Sequence, residues 1–305
     1  MKKTVSVIIP VYKPDEKYIR LLNGLKDQTY PILEVIVINT ERSYYQEEKY
    51  PFLKQMKLFH ITKEEFDHGG TRDMGAKIAK GEILLFMTQD AILADVFVIK
   101  QLMDAFNNEM VGAAYARQLP NKNCHLIERY TRSFNYPKVS RIKGIQDLKE
   151  LGIKTYFCSN VCAAYRKSIY EKLGGFEKHT IFNEDMIFAA SLIHQGYLVA
   201  YCAKAKVVHS HNYSAIEQFR RNFDLAVSQA DHPEIFKDVS SEKEGMQLVR
   251  KTIAYLLYKR KPFEIIRLIQ ISVCKYMGYF LGSRYKYLPK WIIIKFTMNK
   301  NYWDK

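Results

Sequence analysis

Residues 66–91 read F-D-H-G-G-T-R-D-M-G-A-K-I-A-K-G-E-I-L-L-F-M-T-Q-D-A, a stretch with three kinds of group that handle phosphate esters. Gly69, Gly70 and Thr71 open a helix and offer backbone N–H groups. Arg72, in its first turn, offers a guanidinium. Asp90 follows Thr88 and Gln89 at the end of an all-hydrophobic run, residues 83–87. In an α/β sheet ligands bind at the carboxyl ends of strands, so this run carries Asp90 to a ligand edge. A Mg2+ or Mn2+ ion bridging two phosphates needs only one or two protein carboxylates, and Thr88 could support it through a water. Helix N-terminal amides beside a guanidinium form an anion site. Arg72 precedes Asp90 by 18 residues, across one helix and one strand. Plainer readings stand beside these: Asp90 as a turn or N-cap aspartate, Arg72 in a surface salt bridge, Asp67 and His68 as shapers of the turn. Nucleotide chemistry is the first expectation.

Two later clusters add to it. Glu184-Asp185 begins a helical stretch behind Asn183, where the helix dipole favours negative charge. One of the two can instead serve as general base for a hydroxyl nucleophile. Helix neighbours point about 100° apart, so at most one faces a substrate. His209 and His211, two apart at a strand end, share a face. They are candidates for metal or phosphate contact, although a lone His is more often packed or at the surface.

These groups need a scaffold, and the hydrophobic pattern supplies one. Residues 5–11, 35–38, 57–61, 83–87 and 111–117 read as strands, the first being a continuous β-branched run of the buried parallel type. Residues 19–25, 70–80 and 96–107 read as helices, with Gly81 expected as the C-cap of the second. Alternating strands and helices imply βαβ units around a parallel sheet. Residues 118–155 are polar and basic and read as loops and short helices. Beyond them, 156–165 reads as a strand, 167–173 as a helix closed by Gly174-Gly175, 184–194 as a helix and 199–209 as short strands. From Ser214 the pattern is helical.

A chain of 305 residues with 48% hydrophobic and 26% charged residues can bury a sizeable core. Its net charge of +15 is concentrated: residues 245–305 hold 13 Lys or Arg against Glu264 and Asp304, a net of +11. Five cysteines (Cys124, Cys158, Cys162, Cys202, Cys274) lack framework or zinc spacing and read as reduced thiols of a cytoplasmic protein. Residues 1–4 lead straight into a strand-like run, so no signal peptide is expected. The most apolar tail segment, 268–282, is too short to span a bilayer and carries Lys275. The tail mixes its cations with Tyr258, Phe263, Phe280, Trp291 and other aromatics. Such helices lie at a membrane interface. Nucleic acid is the competing partner, disfavoured because the apolar run 291–294 would be wasted on a phosphate backbone. Part of this surface packs on the core or on a second copy, which makes a homodimer an open expectation.

Taken in order, V-S-V-I-I-P-V-Y (5–12), L-E-V-I-V-I-N-T (33–40), G-G-T-R-D-M-G-A (70–76 with Gly69), K-G-E-I-L-L-F-M-T-Q-D-A (80–91), L-G-G-F (173–176), the E-D pair and H-S-H (209–211) resemble family 2 glycosyltransferases. F-D-H-G-G-T-R, T-Q-D-A and V-V-H-S-H-N-Y-S resemble the bacterial rhamnosyltransferases of cell-surface polysaccharide synthesis in particular. The resemblance implies a GT-A, Rossmann-like fold: a mixed, mainly parallel sheet with helices on both faces. Residues 1–230 would be the catalytic domain and 231–305 a basic, aromatic, membrane-associating helical extension. It implies an inverting transfer from dTDP-L-rhamnose to a lipid-linked saccharide at the cytoplasmic face of the membrane, with Mn2+ or Mg2+ as cofactor and no nucleic acid. A same-fold enzyme using a UDP-hexose or UDP-N-acetylhexosamine, and a non-catalytic module binding nucleotide or nucleic acid at the membrane, are the alternatives. By resemblance Asp90 falls on the last Asp of the D-x-D metal motif, Asp185 (with Glu184) on the catalytic base, and His209–His211 on a late metal-site His. Asn39 and Thr40 fall near the base-reading turn, Arg72 near the diphosphate, and Pro10, Tyr12, Glu41, Gly70 and Gln89 among the donor contacts. The chain departs from the pattern at Thr88, which replaces the first Asp of D-x-D, at the turn N-T-E-R-S, and at Asp73, where Asn is usual.

Overall fold

The structure, a computed structural model, describes residues 2–50, 54–237, 239 and 241–304. In chain order its elements are β1 (Val5–Tyr12), α1 (Glu16–Lys26), β2 (Glu34–Thr40), β3 (Met56–Ile61), α2 (His68–Ile78), β4 (Ile83–Met87), β5 (Ile92–Leu93) and α3 (Val98–Met103). There follow β6 (Val111–Leu119), α4 (Leu126–Asn135), β7 (Arg141–Lys143), α5 (Leu148–Leu151), β8 (Cys162–Arg166), α6 (Lys167–Lys172), α7 (Glu184–His194) and β9 (Leu198–Val208). The helices α8 (Ala215–Asp231), α9 (Pro233–Phe236), α10 (Ser241–Tyr258), α11 (Phe263–Gly282) and α12 (Lys290–Phe296) complete the chain.

The sheet runs β3-β2-β1-β4-β8-β6-β9-β5, with β7 also paired to β9. The four strands β3, β2, β1 and β4 are mutually parallel, as are β6 and β9, whereas β8 joins β4 and β6 antiparallel. Successive strand side chains face opposite sides, and both faces are covered. Val5, Val7, Ile9 and Val11 of β1 pack with Tyr18, Leu21 and Leu22 of α1 and with Ile99 and Leu102 of α3. On the other face Ile8 and Ile38 approach α2 at Gly75. Cover on both sides is why β1, β2 and β4 read as near-continuous hydrophobic runs. In register, Tyr12 lies opposite Thr40 and Thr40 opposite Ile61, so three parallel strands end level with one another.

The chain forms two compact units. The first comprises Met1–Leu119, Tyr136–Lys178 and Glu184–His209 and contains the whole sheet; the second comprises Pro120–Asn135, His179–Asn183 and Ser210–Lys305. In the second, Phe223 and Val227 of α8 pack with Ile293 of α12, and Leu256 of α10 packs with Leu268 of α11 and Ile127 of α4. Asp224, buried in α8, accepts from Thr297 Oγ1 at 2.6 Å and Met298 N at 2.9 Å, which fastens the C-terminal segment to that helix. No described helix is long and apolar enough to cross a membrane. All five cysteines are free and four are buried.

Four sequence expectations change. The strand expected over 156–165 shortens to β8. Tyr156 and Phe157 bond back to the carbonyls of Ile153 and Lys154, closing a turn. Within the expected loop 118–155 lies β7, held because the buried Lys143 ammonium bonds the carbonyls of Lys154 (2.9 Å) and Phe157 (2.6 Å). The expected short strands over 199–209 form one strand, β9, with an irregularity between its pairings to Ala116 and Arg117. Gly81 is not a helix cap: α2 ends at Ala79 in extended backbone. A Cβ on Gly81 would lie 2.6 Å from Ser6 N, so this glycine permits close passage past β1.

Candidate active site

Asn39 and Thr40 end β2, Tyr12 ends β1, and Thr88 follows β4. Asn39 Nδ2 donates to Glu41 O at 3.0 Å and lies 3.1 Å from His60 Nδ1. Among the described residues, the buried Asn39 Oδ1, Thr40 Oγ1 and Thr88 Oγ1 have no hydrogen-bond partner. A buried polar atom left unpaired costs about 1–3 kcal/mol, and each such group in a native fold calls for a reason. Three of them at the carboxyl ends of parallel strands mark a surface shaped for a polar ligand.

The neighbouring groups have other tasks. The Gln89 side chain accepts from Tyr12 N at 2.7 Å and donates to Tyr12 O at 2.9 Å. Its amide thus pins the end of β1 to the turn that carries Asp90. The Tyr12 ring is exposed and stands edge-on to Tyr44 at 5.6 Å. Pro10 is half-buried opposite Ile38. Glu41, at φ 65°, accepts from Lys63 N at 2.6 Å. Gly70 N donates to Asp67 Oδ1 at 2.5 Å, so Asp67 caps α2 and moves its start forward to His68. Gly69 is required by packing, since a Cβ there would collide with the carbonyl oxygen of Glu177. Asp73 is paired with Lys77 at 3.0 Å.

Asp90 lies in the turn closed by Ala91 N bonding Thr88 O at 3.1 Å. Its Oδ1 is 3.4 Å from Nε2 of the buried His209. Gln118 Oε1 can only accept, and it lies 3.1 Å from His209 Nδ1, so Nδ1 carries the hydrogen. His209 Nε2 then faces a carboxylate oxygen of Asp90. A cation would be held by this nitrogen and this oxygen together, which makes the pair a candidate Asp/His metal site. His211 follows two residues later, in the second unit, its ring stacked on Tyr213 at 5.1 Å.

At the start of α7 two adjacent carboxylates have different surroundings. Glu184 is buried, 3.3 Å from Arg72 Nη1, and accepts from Asn160 Nδ2 at 3.2 Å. Arg72 is itself buried, donates to His68 O at 2.8 Å, and keeps an Nε without a partner. Asp185 is partly exposed and accepts from two backbone groups, Asn160 N at 3.0 Å and Met186 N at 2.8 Å. Burial and then the Glu184 charge push its carboxyl up, to about 7, against the lowering effect of the Asn160 amide and Arg72. Burial would also raise Glu184, but Arg72, His68 and the Asn160 side chain outweigh it and leave Glu184 below the usual carboxylate range. Asn160 and Gln118, which connect these groups, carry no sequence signal: each is a lone amide in a stretch without motif spacing.

Residues 6–174 match the profile of Glycosyl transferase family 2. The chain belongs to that family. Over 305 residues it is 41% identical to the O-antigen chain rhamnosyltransferase RfbN of Salmonella typhimurium, an alignment covering 98% of this chain and 96% of that one. It is 42% identical over 246 residues to the O-antigen chain rhamnosyltransferase WbaN of Salmonella anatum, covering 80% and 78%. Among solved structures it resembles the mannosyltransferase PcManGT from Pyrobaculum calidifontis, in complex with GDP-Man and Mn2+. That TM-score is 0.62 at 16% identity, with 94% of this chain and 89% of that one covered. S. aureus TarS 1-349 in complex with UDP-GlcNAc gives a TM-score of 0.52 at 15% identity over 93% and 91%. This family 2 protein is therefore a glycosyltransferase of GT-A fold, and its family inverts the anomeric centre.

Proposed function

We propose that this enzyme transfers L-rhamnose from dTDP-L-rhamnose to a hydroxyl of a lipid-linked saccharide during bacterial cell-surface polysaccharide synthesis. The sugar is carried by one observation: the near full-length relation to O-antigen chain rhamnosyltransferases at 41% identity. The chemistry follows from the carboxylate pair at α7. Asp185 is partly exposed and held by two backbone amides. It takes the proton of the acceptor hydroxyl as that oxygen bonds to the anomeric carbon, while the bond from that carbon to the diphosphate oxygen breaks and dTDP departs. Glu184, paired with Arg72, stays an anion and acts on Asp185 through its charge.

The donor set fits a divalent ion held by Asp90 and His209, with Thr88 Oγ1 backing it through a water. An imidazole ligand favours Mn2+ over Mg2+. Such an ion would neutralise charge on the departing diphosphate. Asn39 Oδ1, Thr40 Oγ1 and Arg72 Nε are the free valences for the nucleotide half of the donor, and Gln89 acts by holding Tyr12 in place.

Residues 1–230 would form the catalytic domain and 231–305 an extension that rests on the anionic inner face of the cell membrane. Exposed Tyr258, Phe263, Ile266 and Trp291 beside Lys259, Arg260 and Lys261 support that placement. Cosedimentation with anionic vesicles, lost with zwitterionic ones, is the expected outcome, and equal binding to both would refute it. The donor assignment is tested by a panel of sugar nucleotides with Mn2+ and membranes carrying lipid-linked oligosaccharide. dTDP release with dTDP-L-rhamnose is expected, and turnover with a UDP-sugar in its place would overturn the assignment.

A further inference from the structure

We propose that Asn160 is the positioning residue that assigns the two adjacent carboxylates their separate roles, fixing Glu184 as a standing anion and aiming Asp185 as the base. The inference rests on the reading of Asp185 as base and goes beyond it by naming what makes Asp185, and not its neighbour, the one that accepts a proton.

The geometry is specific. One residue binds both carboxylates through two different groups: its side-chain Nδ2 donates to Glu184 Oε1 at 3.2 Å and its backbone N–H donates to Asp185 Oδ2 at 3.0 Å. The amide cannot swing, because its Oδ1 accepts from the buried Tyr165 hydroxyl at 2.9 Å. Tyr165 is held in turn by Cys158 Sγ at 3.4 Å and by edge-on contacts with Phe176 and Phe188. The preceding residue extends the arrangement. Ser159 Oγ accepts from Gln118 Nε2 at 2.9 Å, and the same amide's Oε1 holds His209 Nδ1. Two consecutive residues of one turn therefore set the orientation of the base pair and, through Gln118, of the His209 ring. An amide bonded through both its nitrogen and its oxygen, with a buried hydroxyl behind it, is held firmly enough to fix a proton acceptor in place.

Several charged or titratable groups face Asp185. They are Glu184 on its own helix, Arg72 from α2, Cys158 from the turn and Tyr165 from β8, while His68 of α2 acts on Glu184. Glu184 raises the Asp185 carboxyl, and Asn160 disperses part of the Glu184 charge. Loss of the side chain therefore leaves a more concentrated negative charge beside the base and moves Asp185 further up.

The test uses the full chain with Mn2+, dTDP-L-rhamnose and membranes carrying lipid-linked oligosaccharide, measuring kcat against pH. A companion measurement titrates the carboxyl 13C resonance of Asp185, assigned by its loss in Asp185→Asn. Asn160→Ala should lower kcat about tenfold, leave the donor KM unchanged, and move the acid limb and the 13C titration up by about one pH unit. Tyr165→Phe, which leaves the amide in place but unanchored, should move both in the same direction by less. An unmoved limb and an unmoved titration in Asn160→Ala overturn the proposal, whatever happens to kcat, because a merely structural loss would not shift a titration. Should Asn160→Ala fail to fold, the same two shifts are sought in Tyr165→Phe, and their absence there overturns the proposal. Asp185→Asn is assayed in parallel. Activity in it sinks the base reading itself, whereas an inactive Asp185→Asn beside an unshifted Asn160→Ala sinks only the role of Asn160.

Discussion

The ends of the parallel strands and the start of α7 are both polar, yet they are satisfied in opposite ways. At the strand ends Asn39 Oδ1, Thr40 Oγ1 and Thr88 Oγ1 are buried without partners among the described residues. At α7 the carboxylates of Glu184 and Asp185 are engaged by Arg72, both amide groups of Asn160 and the Met186 amide. Open valences suit a region whose partner arrives with the donor, since a ligand completes them. Engaged carboxylates suit a region that must hold charge and direction before any substrate binds, because preorganised groups need no reorganisation during the reaction. The protein thus leaves polar groups unpaired where it binds and pairs them where it reacts.

The largest effect expected from breaking this contrast is at Asp185. Asp185→Asn keeps the shape and one of the two backbone contacts but cannot take a proton, so turnover should fall about 10³-fold or more while dTDP binding holds. Near wild-type turnover would remove the base assignment. The same group sets the pH dependence. Its carboxyl is raised to about 7, so it is protonated and idle below that and becomes an acceptor as pH rises through it. Activity should climb across that range, and a profile flat from pH 5 to pH 8 would contradict it.

Asp90→Ala comes next, with an expected loss of about 10²-fold in turnover and loss of the metal-dependent part of dTDP affinity by calorimetry. Undiminished Mn2+-dependent binding would dissociate Asp90 from the metal. The smallest and most discriminating change is Thr88→Val. Removing an unpaired buried hydroxyl without changing shape should leave the melting temperature of the free enzyme unchanged or raise it, the relief being about 1 kcal/mol. Mn2+-dependent dTDP binding should still weaken a few-fold if Thr88 Oγ1 supports the metal through a water. A clear loss of free-enzyme stability would mean that the hydroxyl already has a partner and that the two regions do not differ as described.

Much of the scaffold was legible from hydrophobic runs, because strands buried on both faces admit only apolar side chains. β1, β2, β4 and α7 fall where the sequence pattern puts them. The misplaced segments are those held by distant groups. β7 exists because Lys143 reaches the carbonyls of Lys154 and Phe157, and the strand expected from 156 begins only at Cys162. Gly81 looked like a cap because a glycine after a helix usually is one, whereas its cause is a strand 75 residues earlier in the chain.

For the candidate site the division is sharper. Residue type and order alone mark Asp90, Arg72, the Glu184-Asp185 pair and His209 as groups worth placing, since few other side chains hold metal, anion or proton. Sequence spacing leaves both carboxylates at α7 as candidates for the base, and it gives no reason to look at Asn160 or Gln118. Tertiary structure decides those points: it buries Arg72 against Glu184, leaves Asp185 with backbone partners alone, and sets one amide between the two. The physical reason is that an ionisable group's role depends on which charges and dipoles lie within a few ångströms of it, and that neighbourhood is made by chain segments remote in sequence.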